Sequence, residues 1–216
     1  MMMLRLEFHC HTHYSRDSLT APATLIKACQ RKGIDRLVIT DHNTIAGALA
    51  AQKIDPQRVI IGEEILTTHG ELLAAFVSEE VPAGLSPQET IQRLRAQGAF
   101  ISVSHPFDWL RHGWRYEDLL AATPSVDAIE VFNARCWWPG FNRRAQKFAL
   151  QHGLAGTVGS DAHTVLELGR ATLFLPPFTD PDGLREALKQ ARYQVRWSGP
   201  WVHLSSRYAS LRKGEP

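Results

Sequence analysis

RLVITDHNTIAGALAAQK, residues 36–53, joins three signals in one stretch. RLVIT (36–40) is a short apolar run rich in β-branched residues, the mark of a strand buried on both faces. Asp41-His42-Asn43 follows at its carboxyl end. Residues 44–53 then carry a helical pattern. Strand, polar motif and helix in that order form half of a βα unit, and the same order recurs along the chain.

Before this stretch, residues 4–11 (LRLEFHCH) read as a strand, and residues 22–32 (PATLIKACQRK) as a helix closed by Gly33. After it, residues 58–66 and 71–77 read as two strands joined by the turn-like Thr67-Thr68-His69-Gly70. Ser86-Pro87 with Glu89 is a capping box, with proline in the first turn of a helix over 86–97. Further strands are read at 100–104, 128–132, 157–159 and 172–175, and further helices at 116–122, 141–152 and 182–192. This alternation predicts a single α/β domain with a parallel sheet flanked by helices, either open or closed into a barrel. Residues 1–195 form the expected domain and residues 196–216 a C-terminal extension. The basic stretch 192–216 is expected to be solvated, apart from a first part anchored by Trp197 and Trp201.

Composition removes several classes. The 216 residues are 44% hydrophobic and 21% charged with net charge +2, ordinary values for a soluble globular chain. No apolar run approaches the length of a membrane span, and the N-terminus lacks the pattern of a signal peptide. A cytoplasmic location is therefore expected, with no membrane and no obligatory protein partner. The three cysteines, Cys10, Cys29 and Cys136, form no CxxC pair, which argues against a disulfide framework or a cysteine zinc site. No Gly-rich phosphate loop and no GxSxG elbow occur.

Five of the ten histidines fall in four compact motifs, each at a strand end: His9-Cys10-His11, Asp41-His42-Asn43, Ser104-His105-Pro106 and Ser160-Asp161-Ala162-His163. Gly62-Glu63-Glu64 lies between the second and third. Residues two apart in a strand face the same way, so His9 and His11 present two imidazoles to one site while Cys10 points away. Imidazoles and carboxylates together form a ligand set for Zn, Mn or Fe. One such motif is weak evidence, and Asp41 alone could serve only as a helix cap. Several of them at the carboxyl ends of successive strands converge on the face where barrel enzymes build their sites. Burying so many ionisable groups together would be costly without cations.

The ordered set HCHTHYSRDS, TDHN, GEE, SHP and GSDAH resembles the PHP family, named for polymerase and histidinol phosphatase domains, over residues 6–169. The resemblance implies a distorted (β/α)7 TIM-like barrel and a cluster of two or three divalent ions that hydrolyses phosphoesters through a metal-activated hydroxide. It implies that His9, His11, Glu64 and Asp161 hold one ion, that Glu64 bridges to a second held by His105, and that Asp17, His42 and His163 hold a third. Glu64 is preferred to Glu63 because the family's acidic ligand stands two positions after the glycine. Many members carry a further histidine where this chain has Glu71. That carboxylate can replace the imidazole and would favour Mn or Fe over Zn, with neighbouring His69 as a weaker substitute.

Arg135 and Asn133, after the strand at 128–132, are candidates to grip and orient substrate, as is Arg16. Arg135, Glu64 and Asp161 are the expected catalytic set. Trp137-Trp138 could stack on a base or simply pack. The expected substrate is a phosphodiester of a nucleotide or short oligonucleotide. Alternatives are a small phosphorylated metabolite cleaved as a monoester, a domain that binds metal or nucleic acid without cutting, and an amidohydrolase. The extra set of Asp17, His42 and His163 favours phosphate chemistry over the last.

Overall fold

A computed structural model describes residues 3–214. Nine strands form one sheet: β1 (Leu4–Glu7), β2 (Arg36–Ile39), β3 (Val59–Leu66), β4 (Glu71–Ala75), β5 (Phe100–Val103), β6 (Ala128–Asn133), β7 (Ala155–Gly159), β8 (Ala171–Leu175) and β9 (Arg192–Val195). Their order is β7-β6-β5-β4-β3-β2-β1-β8-β9. Just past their carboxyl ends β1 and β7 meet, where His11 N–H donates to the Ala162 carbonyl (2.9 Å) and Cys10 bridges Ala162 in parallel. β1 to β7 therefore form a ring of seven strands. β8 pairs with the other side of β1 and β9 with β8, both antiparallel, outside the ring.

The helices α1 (Pro22–Arg31), α2 (Ala46–Gln52), α3 (Pro87–Ala96), α4 (Tyr116–Ala122), α5 (Pro139–His152) and α6 (Pro181–Leu188) fill the connections. Ser86 caps α3, its hydroxyl accepting from Glu89 N–H at 3.2 Å behind Pro87. The core is apolar and dense. Leu6, Phe8, Leu72, Leu73, Phe100 and Ile101 are all fully buried, and Phe8 meets Phe100 edge to face at 5.6 Å. Side chains of this size each contribute about 1.5–3 kcal/mol by leaving water, enough to fix the ring while its rim carries charge.

Three sequence expectations need correction. The sheet is not wholly parallel, because β4 runs antiparallel to both β3 and β5. The four-residue link 67–70 is too short for a crossover and allows only a hairpin. Residues 192–195, read as the end of a helix and the start of a tail, instead pair with β8 as β9. The solvated-tail reading also fails for residues 203–212, which form α7 (His203–Arg212) and bury Ala209 against the body. No described helix is long and apolar enough to cross a membrane.

Candidate metal centre

β1, β2, β3, β5, β6 and β7 bring their carboxyl ends to one rim. β4 runs the other way, so its first residue, Glu71, arrives at that same rim, one pair beyond Ile65–Leu72 in the β3–β4 ladder. Reversal of one strand thus adds a carboxylate that a parallel strand would have carried to the far end of the barrel.

Glu64 lies at the middle. Its Oε2 is 3.2 Å from His9 Nε2, 3.4 Å from His11 Nε2 and 3.2 Å from His42 Nδ1. Its Oε1 accepts from Ser104 Oγ at 2.7 Å and lies 3.3 Å from His105 Nε2. Glu71 Oε2 approaches His105 Nε2 to 3.2 Å. Asp161 Oδ1 is 3.4 Å from both His11 Nε2 and His163 Nδ1. Asp17 Oδ2 is 2.8 Å from His163 Nε2, and Asp17 Oδ1 is 3.6 Å from His42 Nε2. Ligand atoms of His9, His11 and Asp161 lie within 4.8 Å of one another, as do those of His11, His42 and His163, and those of His42, Glu64 and Glu71.

The hydrogen-bond directions show what this set can accept. His9 Nδ1 faces Glu130 Oε1 at 2.9 Å, and a carboxylate can only accept, so Nδ1 carries the proton. Ser15 Oγ spends its own proton on Asp41 Oδ1 (2.6 Å), so it accepts from His11 Nδ1 at 3.1 Å. His163 Nδ1 donates to the Asp161 carbonyl at 2.9 Å. In all three rings the outer nitrogen is thus engaged and Nε2 is turned inward, and the Nε2 atoms of His9 and His11 stand only 3.1 Å apart. Without metal a proton on His9 spans this gap to neutral His11, and a divalent cation can take that proton's place. A partner that fixes the outer nitrogen is also what orients a metal-binding imidazole. Asp17 Oδ1 and His163 Nε2 are buried without a hydrogen-bonded partner. These residues fit divalent cations.

Charge makes the same point. Burial raises the pKa of Asp161, but His9, Arg111 and their neighbours overcome it and hold the carboxyl well below its usual range. Glu64 is lowered similarly, with His9 and His42 opposing burial. Burial, with His163 and His42 beside it, pushes His11 down to about 4, so it is neutral and ready to bind. His42 and His105 go the other way. Burial would lower both, yet Glu64 and Asp17 lift His42 to about 10, and Glu64 and Glu71 lift His105 to about 9 against the opposing charge of Arg111. Without metal, protons on these rings supply the positive charge that the carboxylates need.

Backbone strain gathers at the same place. Of the four non-glycine residues with positive φ among the described residues, Asn43 (55°), His112 (54°) and Asp161 (51°) line or adjoin the site. Such strain persists only where the surroundings hold it. At Gly159 the cause is room, since a Cβ there would stand 2.3 Å from His9 Cβ and 2.5 Å from Glu130 Oε1.

All the expected metal ligands thus meet at one rim. Glu63 does not join them. Its Oε2 accepts from Val81 N–H at 3.1 Å on the opposite face of β3. His69 lies in the turn, 4.0 Å from Asp118. Asp41 does not cap α2 but ties down the loop after β1, accepting from Thr12 N–H at 2.7 Å. Arg16 stands at the mouth. Arg135, expected to grip substrate, is buried, and its fork is engaged by Glu167 (3.4 Å), Ser206 Oγ (2.8 Å) and the Val202 carbonyl (3.1 Å). Trp137 stacks on His203 at 4.1 Å with its outer face exposed, and Trp138 is exposed more fully.

Two residues at the site went unread. Glu130 orients His9 and accepts from His105 N–H at 2.9 Å, but in the sequence it is one polar residue inside a strand. Arg111 reaches Asp161 from an irregular loop. Asn133 orients protein groups: its amide donates to Glu130 Oε2 and Asp161 Oδ2, each at 3.0 Å.

Comparison with known proteins agrees with this geometry. The PHP domain model matches residues 7–99, and the model of the PHP-associated region matches residues 139–193. The chain belongs to the PHP family. An uncharacterised protein of Methanocaldococcus jannaschii is 37% identical to this PHP protein over 146 residues, 61% of this chain and 82% of the relative. Among solved structures, a Bifidobacterium adolescentis protein assigned as a metal-dependent phosphoesterase aligns with TM-score 0.64 at 20% identity, covering 86% of this chain and 96% of that one. A lesion-specific endonuclease of Pyrococcus furiosus aligns with TM-score 0.62 at 14% identity, covering 89% of this chain and 58% of its own. At these identities the structural likeness establishes the shared distorted barrel.

Glu63 yields a prediction independent of metal. Burial, with Glu80 nearby, raises its pKa to about 7 despite the bond from Val81. The folded value lies above the unfolded one, so the carboxyl costs nothing below about pH 4.5 and destabilises increasingly as pH rises towards 7. Glu63→Gln is expected to match the wild type in thermal melts of chelated protein at pH 4.5 or just below. It should be the more stable at pH 8, by up to about 3 kcal/mol. Equal melting temperatures at both pH values would contradict the raised pKa.

Proposed function

We propose that this PHP domain hydrolyses a phosphodiester of a nucleotide or short oligonucleotide, using two or three divalent ions. The observation that carries this reading is the shape of the cleft around the ligand set. The site itself opens into a cavity of about 220 Å³. Past His42 and Glu71 it shares walls with a cavity of about 460 Å³, which includes Tyr14, Arg16 and His112. Past Asp17 and His163 it adjoins another of about 340 Å³. A monoester needs room on one side of phosphorus only, whereas a diester needs room on two.

Bound ions would supply an activated water and offset the charge that builds on the phosphoryl oxygens. The chain's own residues hold everything else in place. Glu64, with one oxygen towards His9, His11 and His42 and the other towards His105, is placed to bridge. Glu130 and Ser15 fix the tautomers of His9 and His11, so the lone pairs are presented at no cost in reorganisation during turnover. No serine or cysteine nucleophile is needed, since Cys10 is buried and its thiol faces the Val38 carbonyl.

The test is an activity panel on protein reconstituted with Mn, Fe or Zn, alongside elemental analysis of the protein as isolated. A nucleotidyl phosphodiester is expected to be cleaved with higher kcat/KM than the matching monoester. The reverse order would select the monoesterase reading. Stoichiometric metal with turnover of neither ester would select a binding domain.

A further inference from the structure

The two oxygens of Asp161 are divided between two kinds of neighbour. Oδ1 faces the imidazoles, 3.4 Å from His11 Nε2 and 3.7 Å from His9 Nε2. Oδ2 faces away from them and accepts from Arg111 Nη1 and, at 3.0 Å, from Asn133 Nδ2. Arg111 is itself held at two further points. Its Nε donates to Asp108 Oδ2 at 3.1 Å, and its Nη2 donates to Asn133 Oδ1 at 3.1 Å. Asp108 is fully buried and also accepts from Trp137 N–H at 3.1 Å, which ties the loop after β5 to the start of α5. The guanidinium is therefore fixed in place at Asp161 Oδ2.

We infer that Arg111 is a positioning residue that keeps Asp161 Oδ2 occupied, so that Asp161 meets a bound cation through Oδ1 alone. The inference rests on the metal-dependent reading above. A carboxylate left free beside a divalent ion can bind through one oxygen or both. A charged N–H from Arg111 aimed at Oδ2, beside the amide of Asn133, removes the second choice. Asn133 alone gives one weaker, uncharged bond, which cannot compete with a dication for that oxygen. Arg135, the guanidinium suggested by sequence, cannot take this role, since its own fork is given to Glu167 and α7.

The test uses Co²⁺ as a probe in the chelated and reloaded protein. Arg111→Gln is expected to bind Co²⁺ with the same stoichiometry as the wild type. Its visible absorption bands should be weaker and shifted, as an added oxygen ligand raises the coordination number. With the working metal, kcat on a nitrophenyl phosphodiester should fall about 10–100-fold, the usual effect of removing a group that orients a ligand. Arg111→Lys, which can still donate to Oδ2, should recover part of both the spectrum and kcat. Melting of the metal-free variants checks that the fold survives, and Arg111→Lys carries the comparison if Arg111→Gln does not fold. A wild-type spectrum and kcat in fully loaded Arg111→Gln would overturn the inference. So would loss of metal from that variant, which would make Arg111 necessary for occupancy rather than for how Asp161 binds. Failure of the wild type to take up Co²⁺ would instead sink the metal-dependent reading itself.

Discussion

Asp161→Asn is expected to fold as the wild type does and to lose at least about 10³-fold in phosphodiester turnover, which corresponds to about 4 kcal/mol of transition-state stabilisation. The choice of asparagine matters. Asp161 has φ of 51°, in the left-handed region that asparagine tolerates and alanine does not. Asp161→Ala would combine loss of a ligand with backbone strain and leave the Arg111 guanidinium facing an empty space. Asp161→Asn keeps the shape and retains an oxygen for one neighbour. What it loses is the charge that lets His9, His11 and a cation share one site. The metal-free variant should melt within a few degrees of the wild type, so the lost activity would not reflect unfolding. The measurement pairs kcat/KM on the preferred diester with metal content after gel filtration. Turnover within tenfold of the wild type, with metal bound, would remove Asp161 from the chemistry.

The histidine ligands and Asp161 were legible because they obey a local rule, whereas Asp17, Glu64 and Glu71 came from the family resemblance. His9 and His11 share a face by the two-residue period of a strand, and the ionisable motifs at strand ends marked a common rim. Glu64 was separated from Glu63 by the family pattern, and the structure adds the physical contrast: one carboxylate faces five site nitrogens and oxygens, the other a single backbone N–H. What escaped reading has no local rule. Arg111 and Asp161 are 50 residues apart and meet through a loop that carries no periodic pattern. β9 is exposed at all four residues, so it shows no alternation, and its pairing with β8 is a tertiary event at a sheet edge. α7 likewise has a single buried residue. It is held by polar bonds, from Arg135 to Ser206 and from Lys213 to the carbonyls of His13 and Ser15, which no hydrophobic pattern announces. The antiparallel course of β4 was legible in its short turn and was masked by the regular alternation around it.

Removal of metal should produce the second large effect, this time on stability. In the metal-free state Asp17, Glu64, Glu71 and Asp161 converge with only protonated imidazoles and Arg111 to offset them. Divalent ions bind this arrangement in the folded chain and have no comparable site in the unfolded one. Each ion present at 100 to 1,000 times its Kd therefore stabilises by about 2.7–4.1 kcal/mol. For a domain of this size that is about 5–15 °C in Tm per ion. Chelated protein should melt at least that far below protein in excess Mn or Zn. The gain must also depend on pH, with a definite sign. His42 and His105 hold protons up to about pH 10 and about pH 9 in the metal-free fold, and a metal can bind their nitrogens only by displacing them. Below those values the apparent affinity should rise about tenfold per pH unit for each proton released. The rise should be steepest below about pH 9, where both rings release protons, gentler between about 9 and 10, and level off above about pH 10. Titration calorimetry in buffers of different ionisation enthalpy counts the protons directly. An affinity independent of pH between 6 and 8.5 would mean that the bound ion does not touch these two rings, and the part of the cluster built on His42, His105, Glu64 and Glu71 would have to be given up.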